Sequence, residues 1–153
     1  MSRKTKKDKI ITLVGTKQAR KGFEFLHESP SEKCKKCEYY RVCIENLEVG
    51  RVYRIVGLRE KVFPCPLHEG GARVVEVMES EISAAIPQKL ALEGAIITFH
   101  RIVCENFACK YRSLCFPVGI YEGDRCEIVS LGERINCEMK NSLRAVKLRR
   151  IPS

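Results

Sequence analysis

Nine cysteines stand in a chain of 153 residues, and eight of them fall into two quartets. The first runs Cys34-x2-Cys37-x5-Cys43-x21-Cys65, the second Cys104-x4-Cys109-x5-Cys115-x21-Cys137. Their last two intervals are identical. A close trio and one remote thiol make a four-ligand set that closes a long loop, so that metal binding would contribute directly to folding. In a reducing compartment such cysteines are more often metal ligands than disulfides, and full pairing of an odd total would leave one thiol over. All-thiolate ligation suits zinc and iron–sulfur centres alike. Tetrathiolate zinc needs sulfurs about 3.7 Å apart, given Zn–S bonds of about 2.3 Å, and often meets this with two Cys-x2-Cys hooks. Here only Cys34 and Cys37 form one. A cubane spreads its thiolates over separate iron corners, so wider intervals suit it. The spacing therefore points to two [4Fe–4S] clusters as cofactors, with two Zn2+ ions as the alternative.

The elements that must position these thiols occur twice. The chain aligns with itself at a shift of about 72 residues. Cys37, Tyr39 and Cys43 match Cys109, Tyr111 and Cys115; Gly50 and Ile55 match Gly123 and Ile128; Cys65 matches Cys137; Arg73 and Val75 match Arg144 and Val146. A basic tail at 1–9, a first repeat at 10–81 and a second at 82–153 are the expected divisions. Strands are expected at Ile10–Val14, Gly22–His27, Arg51–Val56 and Ala72–Met78, then at Ala95–Arg101, Asp124–Val129 and Ala145–Arg149, from alternation and flanking turn residues. His68-Glu69-Gly70-Gly71 is a turn signal. Ser83–Leu92 reads as a short helix interrupted by Pro87, and the two cysteine trios are expected to hold a helical turn. The fold class expected is mainly β: two small sheet units, each with a cysteine-rich loop. At roughly 70 residues, each would gain from a metal staple.

The segment Lys33–Cys43 resembles the trio that binds a [4Fe–4S] cluster in RecB-like nucleases and endonuclease III-type glycosylases, both of which use Cys-x2-Cys-x5-Cys with one remote cysteine. That resemblance implies Cys34, Cys37 and Cys43 as ligands and Cys65 as the fourth. It covers the trio alone. Neither the nuclease core nor a helix–hairpin–helix is present, so those activities do not carry over. Over its whole length the chain resembles an uncharacterised archaeal family of small proteins with two cysteine clusters. The similarity lies in Leu13–Gly15, in Cys65-Pro66-Leu67-His68-Glu69-Gly70-Gly71, in Ala85-Ile86-Pro87 and in Cys115-Phe116-Pro117. It implies iron–sulfur redox centres and leaves the biochemical role open.

Net charge bounds the partners. The formal value is +9; eight thiolates around two +2 cores would lower it to about +5. Much of it sits in Arg3–Lys9 and Arg144–Arg150. A redox partner and a nucleic acid are the two partner classes this leaves. Tyr39, Tyr40 and Tyr111 beside Lys and Arg have the composition that stacks on unpaired bases; a solvated surface explains the same charge equally well. No apolar run approaches the roughly 20 residues of a membrane helix, and Ile10–Val14 is too short for a signal peptide's core, so a cytoplasmic location and no membrane partner are expected. The sequence has no phosphate loop, no Gly-x-Gly-x-x-Gly and no His-Glu-x-x-His, and no catalytic set stands out. Cys126, opposite Tyr53 in the repeat, is expected as a buried strand thiol. His68 is expected in a polar turn, because Cys137 has no matching histidine. His27 and His100 are expected near strand ends in structural or solvent-facing roles.

Overall fold

The computed structural model describes residues 9–28, 47–65, 67–102, 104–137 and 139–152. Cys34, Cys37 and Cys43, with the helical turn expected between them, lie outside the described residues. The fold divides into two units, Met1–Ser80 and Glu81–Ser153. The protein is mainly β, and each unit is one four-stranded antiparallel sheet.

In the first unit the strands are β1 (Ile10–Gly15), β2 (Glu24–Leu26), β3 (Val52–Phe63) and β4 (Ala72–Glu79), in the spatial order β1-β4-β3-β2. Alternation explains their placement. Tyr53 and Ile55 of β3, and Val75 and Val77 of β4, turn inward and meet Val14 and Leu47 in one apolar cluster. Ile10, Phe23 and Phe25 pack against it.

The second unit repeats this with β5 (Ile82–Pro87), β6 (Ile96–Thr98), β7 (Arg125–Asn136) and β8 (Ser142–Arg150), ordered β5-β8-β7-β6. A 3-10 turn follows the first strand of each unit, at Thr16–Gln18 and at Gln88–Leu90. The long strands are bulged at matching places, between Ile55 and Gly57 and between Ile128 and Ser130, and again further along. Beside those bulges the matched arginines act alike. Arg73 Nε donates to the Arg59 carbonyl at 2.5 Å, and Arg144 Nε to the Gly132 carbonyl at 2.6 Å.

Two expectations are corrected. Ser83–Leu92 is not a helix: β5 occupies Ile82–Pro87 and a 3-10 turn completes the segment. Ala84 and Ile86 face one side and Ala85 the other, all buried, which is a strand's period. Pro87 ends an edge strand, where a missing N–H costs no ladder bond. Second, β3 and β7 run on past Val56 and Val129 to Phe63 and Asn136. Each bulge inserts a residue and breaks the alternation while the pairing continues.

The second sheet buries both faces. Ala84, Ile86, Ile128, Val146 and Leu148 meet Phe99 and Ile120 on one side. Ala85, Ile135 and Leu143 form a separate cluster with Cys115. Pairing of Ala85 with Ala145 and of Ile135 with Leu143 puts that second cluster on the reverse face.

The β3–β4 turn requires glycine. Gly71 has φ 91°, and a Cβ there would stand 2.6 Å from the Phe63 carbonyl oxygen. Gly22 has φ 88° with nothing within 4 Å. Gly22→Ala should cost about 1 kcal/mol, from the left-handed backbone alone. Gly71→Ala should cost at least about 2 kcal/mol, because backbone must move as well. Urea unfolding of the two variants checks the ranking, and equal losses would refute the packing argument.

Candidate metal centre

The second cysteine trio sits on an excursion between β6 and β7 whose ends are tied together. Phe99 N–H donates to the Asp124 carbonyl at 2.7 Å, and Gly123 N–H returns to the Phe99 carbonyl at 2.8 Å. The first unit has the same closure. His27 N–H donates to Arg51 at 2.9 Å and Gly50 N–H to His27 at 2.8 Å, around the segment that carries Cys34, Cys37 and Cys43. The remote cysteine follows the end of the long strand in both units. Cys65 accepts at its carbonyl from His68 N–H at 3.3 Å, and Cys137 from Lys140 N–H at 2.9 Å. His68 thus lies in the turn where the sequence placed it.

Within the second loop a short helix, α1 (Arg112–Cys115), brings its last residue inward. It starts where Arg112 N–H bonds the Cys109 carbonyl at 3.1 Å, and Cys115 N–H bonds Tyr111 at 3.2 Å. Cys115 is buried against Ala85, Ile135 and Leu143; Ile102, Tyr111, Leu114, Phe116 and Cys137 pack around that cluster.

The consequence is a shared cavity. Cys104, Cys109, Cys115 and Cys137 all line one cavity, with Ile102, Tyr111, Ile135, Leu143 and Met139 among its other walls. Three of the sulfurs already accept hydrogen bonds: Cys104 Sγ from Asn106 N–H at 3.4 Å, Cys109 Sγ from Tyr111 N–H at 3.4 Å, and Cys137 Sγ from the Asn141 side-chain amide at 3.7 Å. Burial pushes the Cys115 thiol above its ordinary pKa of 9.0, and the neighbouring Cys109, Cys137 and Cys104 push it further, while Arg112 pulls it down. Among the described residues no three or more His, Cys, Asp or Glu side chains are grouped so as to hold a single metal ion. The thiols share a cavity and do not meet at a point.

The other singled-out residues fall elsewhere. Cys126 is wholly buried in the main core of the second unit, away from the four thiols. His27 is buried and meets the Tyr53 ring edge-on, with centroids 6.4 Å apart. His100 is exposed and pairs through Nδ1 with Glu122 at 2.5 Å. That bond, with one from Arg101 N–H, holds the Glu122 carboxyl below its ordinary value of 4.5.

Sequence reasoning missed what surrounds the thiols. The Arg112 guanidinium lies over two rings, 4.3 Å from the centroid of Phe107 and 4.1 Å from that of Phe116. Arg101 approaches Phe116 at 5.4 Å, and Lys110 approaches Tyr111 at 5.2 Å. The one available signal was the four-residue step from Arg112 to Phe116, a same-face spacing on a helix.

The profile of the uncharacterised protein family UPF0179 matches residues 10–148, which spans both repeats. The chain belongs to this family. UPF0179 relatives include a protein of Methanocaldococcus jannaschii, 45% identical over 92% of this chain and 93% of its own length. One from Methanothermobacter thermautotrophicus is 46% identical over 92% and 97%, and one from Pyrococcus abyssi 41% identical over 84% and 89%. These are archaeal proteins, so the expectation of an uncharacterised archaeal family holds. No solved structure matches. Among the described residues of this UPF0179 protein, no helix is long and apolar enough to cross a membrane.

Proposed function

We propose that this UPF0179 protein holds two [4Fe–4S] clusters, one per repeat, and serves as a cytoplasmic electron-transfer protein. Cys34, Cys37, Cys43 and Cys65 would hold the first, and Cys104, Cys109, Cys115 and Cys137 the second. One observation carries the reading: four thiols from separated positions of the second repeat line a single cavity. The donor set contains sulfur alone, which suits thiophilic iron or zinc over hard cations. Amide donors to three of the sulfurs support a redox role, because hydrogen bonds to cluster sulfurs tune potential. When bound, the clusters would supply one-electron chemistry. The chain's own part is to keep the thiols convergent, wall them with apolar side chains, and aim N–H groups at the sulfurs.

The test is anaerobic purification of the full chain with iron, sulfide and zinc counts. About eight iron and eight sulfide per chain are expected. Clusters that stay redox-silent between about −700 and +450 mV would end the electron-transfer role.

A second reading has its own support: a nucleic-acid-binding module whose centres only hold the fold. Phe107 is 73% exposed and has the Arg112 guanidinium 4.3 Å from its ring centroid, an aromatic-cation pair able to stack on an unpaired base. Zinc in place of iron, with single-strand binding that weakens steeply as salt rises, would favour this reading over the first.

A further inference from the structure

We propose that Arg112 is the fixed counter-charge of the second cysteine quartet, and that it raises the reduction potential of that centre. The inference rests on the cluster reading above.

Arg112 opens the same helical turn that ends at Cys115. Its guanidinium is held over the Phe107 and Phe116 rings, contacts that attract a cation through the ring quadrupole. Its Nη1 is buried and has no hydrogen-bond partner. A buried, unpaired guanidinium nitrogen is unfavourable unless opposite charge stands nearby. Four thiolates around a +2 core would supply it, carrying a net charge of −2 that becomes −3 when one electron is added. A cation in place before the electron arrives stabilises the reduced state more than the oxidised one, and so raises the potential. Lys110 and other exposed cations beside the loop are screened by water and salt. Arg112 is shielded by its two rings.

The first repeat carries other residue types at the matching positions. Phe107, Arg112 and Phe116 fall opposite Lys35, Tyr40 and Ile44. The duplicated thiols share their last two intervals, and the arginine with an aromatic residue on either side of it belongs to the second trio's sequence.

A reductive titration with dithionite, followed by electron paramagnetic resonance on anaerobically purified full-length protein, tests this. Arg112→Gln should move one of the two midpoints to more negative potential and leave the other in place, with iron content unchanged. Arg112→Lys, which keeps the charge, should move it less. If Arg112→Gln loses the second centre's iron, Phe107→Ala provides the test. It opens one side of the clamp to water and leaves the charge, so the same midpoint should fall by a smaller amount. Iron-replete variants whose midpoints stay put, or move together, overturn the inference alone. Wild-type protein without iron overturns the cluster reading and this inference with it.

Discussion

Cys115→Ala is expected to remove about half of the bound metal, and Cys126→Ala none of it. Both side chains are buried thiols of the second unit, so the pair separates ligation from packing. Cys115 lies 8% exposed at the end of α1 and lines the cavity with Cys104, Cys109 and Cys137. Cys126 is 0% exposed in the opposite core, among Ile128, Val146 and Leu148. On the proposed reading, four of roughly eight iron atoms depend on Cys115. A free energy of metal binding that exists only in the folded state is folding free energy, so the stability losses should also diverge. In metal-loaded protein Cys115→Ala should lose far more than Cys126→Ala. In chelated, reduced protein each deletes one buried sulfur, and the losses should be similar, about 1–2 kcal/mol. Iron and sulfide analysis with urea unfolding in both states makes the comparison. Full metal content in Cys115→Ala would sink the quartet as a ligand set.

The quartets themselves were legible because spacing survives without any knowledge of the fold. A repeated x5 and x21 interval, with Gly50 opposite Gly123 and Arg73 opposite Arg144, fixed the duplication and placed most strands. Strand lengths were less legible. Alternation fails at Gly57 and Ser130, where bulges shift the faces while pairing with β4 and β8 goes on. Ala84-Ala85-Ile86 misled because a short apolar run has no period of its own to separate strand from helix. The match between Ile82–Pro87 and Ile10–Gly15 decides it, since both begin their repeat and both occupy a sheet edge. Around the site, composition pointed to Tyr111 and the basic residues, and the structure adds Phe107 and Phe116. The contact of Arg112 with two rings depends on how a loop folds back on itself. No period in the sequence encodes that, and only the Arg112–Phe116 step hints at it.

The largest stability effect outside the thiols is expected at Phe99, because this residue joins the core to the loop that carries the cysteines. Its side chain is 1% exposed among Ile86, Ile120, Ile128 and Leu148. Its backbone makes both bonds that close the excursion, to Asp124 and Gly123. Phe99→Ala should cost about 3–5 kcal/mol. A unit of roughly 70 residues has only about 4–10 kcal/mol to lose, so the thermal midpoint of metal-free protein should fall by more than about 12 °C. The matching position in the first repeat is His27, 7% exposed. There the neighbouring strand supplies Tyr53, whose ring meets His27 and whose hydroxyl accepts the Glu48 N–H at 2.8 Å. In the second repeat that strand position is Cys126, too small to collapse into the space a lost phenyl ring leaves. His27→Ala should therefore cost clearly less than Phe99→Ala, since a large neighbour can close part of the cavity and less apolar surface is removed. Calorimetry of the two variants decides. A loss at His27 equal to or above that at Phe99 would mean that the exchange of ring between loop and strand does not control how each core relaxes.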